Sequence, residues 1–155
     1  MQFTMFDKNM KIFLLGYNYK NDGGPGMSKK VKALIFGEQH ECRTVSEMMK
    51  TSDLFGMLTH EHLHVNDLEG LEEKLIDWDP TLVIVLADGA KGFECVFRTK
   101  ECRPSLPVFW FSDDREFGMQ SYRLNCAYFS TKPVTEEKLH HAIRRCDHIG
   151  IAYGC

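Results

Sequence analysis

No apolar run in this chain approaches the ~20 residues that a helix needs to cross a bilayer, so no membrane span is expected. An excess of positive charge is missing too. The 19 basic and 22 acidic residues are mixed along the chain and leave a net charge of -3, which gives no electrostatic footprint for nucleic acid and argues against direct DNA binding. The start lacks a basic region, a long apolar core and a small-residue cleavage site, so a cytoplasmic location is expected. Cys-x-x-Cys pairs are also absent. The six cysteines (Cys42, Cys95, Cys102, Cys126, Cys146 and Cys155) are dispersed in a domain large enough to fold without staples, and free thiols are expected.

What is present is 155 residues, 43% of them hydrophobic, enough for one globular domain with a real core. Short β-rich apolar runs alternate with amphipathic stretches of helical length, the pattern of an α/β domain with a parallel sheet. Strands are expected at Val31 to Phe36, at Leu54 to Leu58 with a continuation through the His-rich segment, at Thr81 to Ala87, at Pro107 to Phe111 and at Ala127 to Ser130. Helices are expected at Glu41 to Lys50, Leu68 to Ile76, Gly92 to Glu101, Asp114 to Leu124 and from Thr135 to about Cys146. Asp79-Pro80 stops the second helix, and the nearly continuous apolar TLVIVLA run marks a central strand covered on both faces. Five strand-helix repeats between residues 31 and 146 fit a doubly wound five-stranded parallel sheet of order 2-1-3-4-5. Such sheets carry their functional site at the strand C-termini.

Four segments carry a family resemblance: Asp79 to Leu86 (DPTLVIVL), Leu106 to Ser112 (LPVFWFS), Tyr122 to Phe129 (YRLNCAYF) and Lys132 to Leu139 (KPVTEEKL). Over residues 31 to 146 the chain resembles the receiver domain of two-component response regulators, most closely the variety that precedes LytTR-type DNA-binding domains. The resemblance implies the flavodoxin-like receiver fold. It also implies a pocket in which two acidic residues hold Mg²⁺ through oxygen, an aspartate takes the phosphoryl group, a Ser or Thr contacts its oxygens and a lysine neutralises its charge. On this chain the acidic pair falls on Gly37 and Glu38, the phosphoacceptor on Leu86, the hydroxyl on Ser112 and the lysine on Lys132. Leucine cannot be phosphorylated. The pocket therefore reads as degenerate, with no catalytic residue, no metal and no cofactor expected.

Asp88 is the candidate to replace the lost acceptor, which would bring Mg²⁺ back as a cofactor. Two residues of extended chain carry a side chain about 6.5 Å along a strand, far beyond the ~0.5 Å tolerance of a working site. Asp88-Gly89 also reads as a polar turn. Ser112 has a second reading as the start of the fourth helix, with Asp113 and Glu116 at capping-box spacing. In an empty pocket Lys132 is expected to pair with Glu38 or Asp88. The resemblance puts a cis bond before Pro133. It also puts the switch aromatic at Phe129 which, with Tyr122 and Tyr128, forms the expected interaction surface, against plain core packing as the other reading.

A rival constellation is Thr59 to His64 (THEHLH), where a strand puts His60, His62 and His64 on one face and three imidazoles suit zinc or nickel. Same-face positions make a row rather than an enclosing tetrahedron, and an exposed polar strand end is the other reading. Residues 1 to 30 are expected to form an N-terminal extension that serves as an extra strand, over Lys11 to Tyr19, or as a dimer arm, and residues 147 to 155 are expected to be a short tail with no output domain. The expected function is a stand-alone degenerate receiver that is not an enzyme. It signals by phosphorylation-independent contact with a histidine kinase, another regulator or a second copy of itself. The alternatives are a phosphorelay component using Asp88 with Mg²⁺, a histidine-based metal binder, or the receiver part of a longer regulator.

Overall fold

The computed structural model describes residues 30–52 and 59–152. Their elements alternate strictly: β1 (Lys30–Phe36), α1 (Gln39–Thr51), β2 (Thr59–Val65), α2 (Leu71–Asp77), β3 (Leu82–Val85), α3 (Gly89–Cys102), β4 (Val108–Ser112), α4 (Phe117–Arg123), β5 (Tyr128–Thr131) and α5 (Glu136–Ala152). The five strands form one parallel sheet of order β2-β1-β3-β4-β5. This is the doubly wound receiver topology expected from the sequence. β3 is the middle strand with β1 and β4 beside it, and β2 and β5 lie at the two ends of the described sheet.

The period-two alternation of the strands divides the core into two layers. Ala33, Ile35, Leu82, Ile84, Phe109 and Phe111 point to one side, where Cys42, Val45 and Met49 of α1 and Leu139, Ala142 and Ile143 of α5 cover them. Leu34, Phe36, Val83, Val85, Val108 and Trp110 point to the other, beneath Leu71 and Leu75 of α2 and Cys95 and Val96 of α3. Helix α1 fits this arrangement because its buried residues Cys42, Val45, Ser46 and Met49 recur at helical spacing along one stripe. Every β3 residue is fully buried, as a doubly covered central strand requires.

Several boundaries differ from the sequence expectation. The described β2 lies on the His-rich segment itself; the expected Leu54–Leu58 part of that strand falls outside the described residues, as do the extension before residue 30 and its proposed strand. Helix α5 runs on to Ala152, past the expected end near Cys146. Helix α4 begins at Phe117 rather than Asp114. The most consequential difference is α3, which starts at Gly89 instead of Gly92. Its first turn lies so close to the strand end that a Cβ at Gly92 would meet the Ala87 carbonyl oxygen at 2.1 Å. Only glycine permits that approach, and it leaves Leu86, Ala87 and Asp88 as the whole connection between β3 and α3.

The cysteines among the described residues, Cys42, Cys95, Cys102, Cys126 and Cys146, are free. No helix of the described residues is long and apolar enough to cross a membrane.

Candidate functional site

The strand C-termini bring most of the expected pocket residues to one rim. Backbone bonds set the register there: Gly37 N–H donates to Val65 O (2.9 Å), Leu86 N–H to Phe36 O (2.7 Å) and Lys132 N–H to Ser112 O (2.9 Å). The Lys132-Pro133 bond is cis, as expected.

Leu86 is 1% exposed and belongs to the core layer under α1 and α5. A Cβ on Gly37 would stand 2.8 Å from Leu86 Cβ, so the turn between β1 and α1 is closed directly on the leucine. The place where the resemblance puts one metal-binding acid is thus filled by hydrocarbon. Leu86 also floors a cleft of about 420 Å³ walled by His40, Glu41, Thr44, Val45, Lys132, Pro133 and Val134.

Lys132 is 14% exposed and has two carboxylate partners: its Nζ lies 2.8 Å from Glu41 Oε2 and 3.2 Å from Asp88 Oδ1. Burial works against the ammonium charge, but the hydrogen bonds to Glu41 and Asp88 more than offset it and hold the lysine above its ordinary pKa. The expected Asp88 partner is there, and Glu41 rather than Glu38 is the other. Sequence reasoning missed Glu41, although a signal existed. It immediately precedes Cys42, the first residue of the buried α1 stripe, so it lies at the margin of that stripe and faces the sheet rim.

Asp88 stands nearer the lysine than a straight strand would allow, because β3 ends at Val85 and the chain turns at once into α3. Its Oδ1 also accepts the Asp113 amide at 3.1 Å, tying the end of β3 to the end of β4. Ser112 is fully buried, and its hydroxyl accepts the Asp114 amide at 3.1 Å. That is a turn ahead of α4, not its cap. The expected Asp113-Glu116 capping box does not form; Asp114 Oδ1 accepts the Glu116 amide instead (2.9 Å).

These residues do not fit Mg²⁺ as they stand. The ion demands near-octahedral oxygen at about 2.0–2.1 Å. Of the carboxylates at the rim, one oxygen from Glu41 and one from Asp88 are held by Lys132, the side chains of Gly37 and Leu86 supply no oxygen, and Glu38 is the remaining acid of the expected pair. The ammonium pairs with two of the carboxylates a cation would draw on.

The expected interaction surface is divided. Tyr122 on α4 is 82% exposed, with Met119 one turn away at 62%. Tyr128 and Phe129 are half-buried on opposite faces of β5. The Tyr128 ring packs against Phe109 and Phe111, and the Phe129 ring meets Trp110 edge-on with centroids 5.5 Å apart. Adjacent strand residues cannot share a face, so only Tyr122 of the three presents itself to solvent.

No protein-family model and no curated protein matches the sequence. Solved structures do. The chain is similar to the signal receiver domain of a modulated diguanylate cyclase from Desulfovibrio desulfuricans (21% identity, 79% of this chain and 97% of that one, TM-score 0.61). It is similar as well to a response regulator receiver domain protein from Clostridium thermocellum (17%, 79% and 98%, TM-score 0.63). A third is a CheY-like response regulator receiver domain protein from Methanospirillum hungatei (15%, 79% and 98%, TM-score 0.56). The fold is that of receiver domains. At these identities the likeness concerns the backbone path, and the chemistry has to be argued from this chain's own residues.

Proposed function

We propose that this chain is a receiver-type signalling module that works through protein-protein contact without accepting a phosphoryl group. The observation that carries the reading is Leu86: fully buried, packed onto Gly37, and standing where the resemblance expects the nucleophile. The Glu41–Lys132–Asp88 cluster supports it, since the lysine that would read a phosphoryl charge already has two carboxylates to neutralise. The partner is a protein such as a histidine kinase or another regulator, or a second copy of this chain, meeting it at the α4 surface where Tyr122 and Met119 are exposed.

One contact favours a second reading. Asp88 lies within salt-bridge distance of Lys132, so an acceptor two residues past the usual position is close to the group that would steady its phosphoryl oxygens. That reading requires Lys132 to leave Glu41.

Intact mass after incubation with a small-molecule phosphodonor and Mg²⁺ separates the two. The contact-only reading predicts no gain of about 80 Da, one phosphoryl group, in the natural chain or in Asp88→Asn. A gain that disappears in Asp88→Asn establishes the phosphorelay reading instead.

A further inference from the structure

The histidines of β2 have no part in the pocket at the rim. Residues 60, 62 and 64 alternate onto the face of the strand that meets α1, where Ser46 Oγ lies 2.5 Å from His62 Nδ1. At the other end of the same ring, His62 Nε2 lies 3.2 Å from His60 Nδ1. The two ring centroids are 5.4 Å apart with planes at 61°. A straight row of strand side chains holds same-face neighbours about 6.5 Å apart at the backbone, so these two imidazoles have turned toward each other.

That separation has a chemical meaning. Tetrahedral Zn²⁺ with Zn–N distances of about 2.0–2.1 Å places its ligand nitrogens about 3.3–3.4 Å apart. His60 Nδ1 and His62 Nε2 already stand at nearly that bite. Ser46 sits on the far nitrogen of His62, where metal-binding imidazoles have the partner that fixes their tautomer. With the Nδ1–H donated to Ser46 Oγ, the Nε2 lone pair is directed at the His60 side.

We infer that His60 Nδ1 and His62 Nε2 form a two-histidine chelate for an imidazole-preferring divalent transition ion of the Zn²⁺ class. Burial, with the charges of His60, Lys50 and His64, pushes the His62 pKa down to about 4. Lys50 and Arg43 also set positive charge near His64. Affinity therefore comes from the nitrogens and not from the local field. Among the described residues no group of three or more His, Cys, Asp or Glu side chains converges on one point, so these two nitrogens are the donors that the described residues supply. The inference goes beyond the signalling reading and does not depend on it, because the chelate is on β2 and the phosphodonor experiment reads the rim.

The test is a titration of the tag-free protein with Zn²⁺ alone at neutral pH, in competition with a chromophoric chelator. One equivalent should bind per chain. His60→Gln should weaken binding tenfold or more and Ser46→Ala about tenfold, whereas His141→Gln, on the exposed side of α5, should leave it unchanged. Circular dichroism confirms that each variant is folded. Long-range ¹H–¹⁵N spectra should place the zinc-induced shifts on His60 Nδ1 and His62 Nε2. Binding equal in the natural chain and His60→Gln, no binding of one equivalent, or shifts confined to other histidines overturns the inference.

Discussion

The rim of the sheet and the β2 face use polar side chains in opposite ways. At the rim, Lys132 is held by Glu41 and Asp88, Asp88 also takes the Asp113 amide, and Ser112 takes the Asp114 amide. Opposite charges neutralise one another at the partly exposed edge of the sheet. On β2, His60 and His62 bring like groups together, ring nitrogen to ring nitrogen across a hydrogen bond. A receiver-like backbone thus carries paired charges where the resemblance predicts a metal and a phosphoryl group, and a histidine contact where the resemblance predicts nothing. Position within a fold does not decide what a site does; the residues do.

Breaking the closed region should have the largest effects. Leu86→Ala removes a buried side chain from the layer under α1 and α5 and should cost roughly 2–5 kcal/mol in urea unfolding. Gly37→Ala drives a Cβ to 2.8 Å from Leu86 Cβ, and the resulting overpacking should cost about 1–3 kcal/mol. The overlap is with the Leu86 Cβ, which alanine keeps, so the coupled partner is Leu86→Gly. In the Gly37→Ala/Leu86→Gly variant the removed Cβ makes room for the new one, and the sum of the single effects should exceed the measured one by at least about 0.5 kcal/mol. Strict additivity would mean that the turn after β1 does not rest on Leu86.

A smaller effect tests the charge cluster. The Lys132→Met and Glu41→Gln cycle should show a coupling of about 1 kcal/mol, discounted for the partial exposure of Glu41, and it should exceed that of Lys132→Met with Asp88→Asn. A larger Asp88 coupling would point to the phosphoacceptor reading. The smallest change is expected at Tyr122→Ser, within about 0.5 kcal/mol of the natural stability because the side chain is 82% exposed. Its consequence should instead appear as lost association, with a partner or between copies, in analytical ultracentrifugation.

The sheet was legible because the short apolar runs of β1, β3 and β4 and the helical stripe of α1 leave few alternatives, and the Lys132-Pro133 dipeptide marks the end of β5. The site was legible only in part. Leu86 is marked by its place after TLVIV, whereas a strand continued past Leu86 carries Asp88 too far along, and β3 ends at Val85. Nothing local announces that end. It follows from Gly92 allowing α3 to begin at Gly89 against the Ala87 carbonyl, a tertiary contact. Glu41 escaped for a related reason: the family pattern directs attention to the two residues after β1, and a helical turn separates Glu41 from them. The histidines read correctly as sharing a face. Their convergence depends on side-chain torsions and on Ser46 from another element, which spacing does not encode.

The most direct test of the central claim uses beryllofluoride, a phosphoryl analogue, with Mg²⁺, followed by ¹⁹F NMR and by the amide spectrum of the protein. The closed rim predicts no bound fluoride resonance and no amide shifts around Leu86, Asp88 and Lys132. A bound resonance that vanishes in Asp88→Asn would contradict it, and would show that Lys132 releases its carboxylates to hold a phosphoryl group.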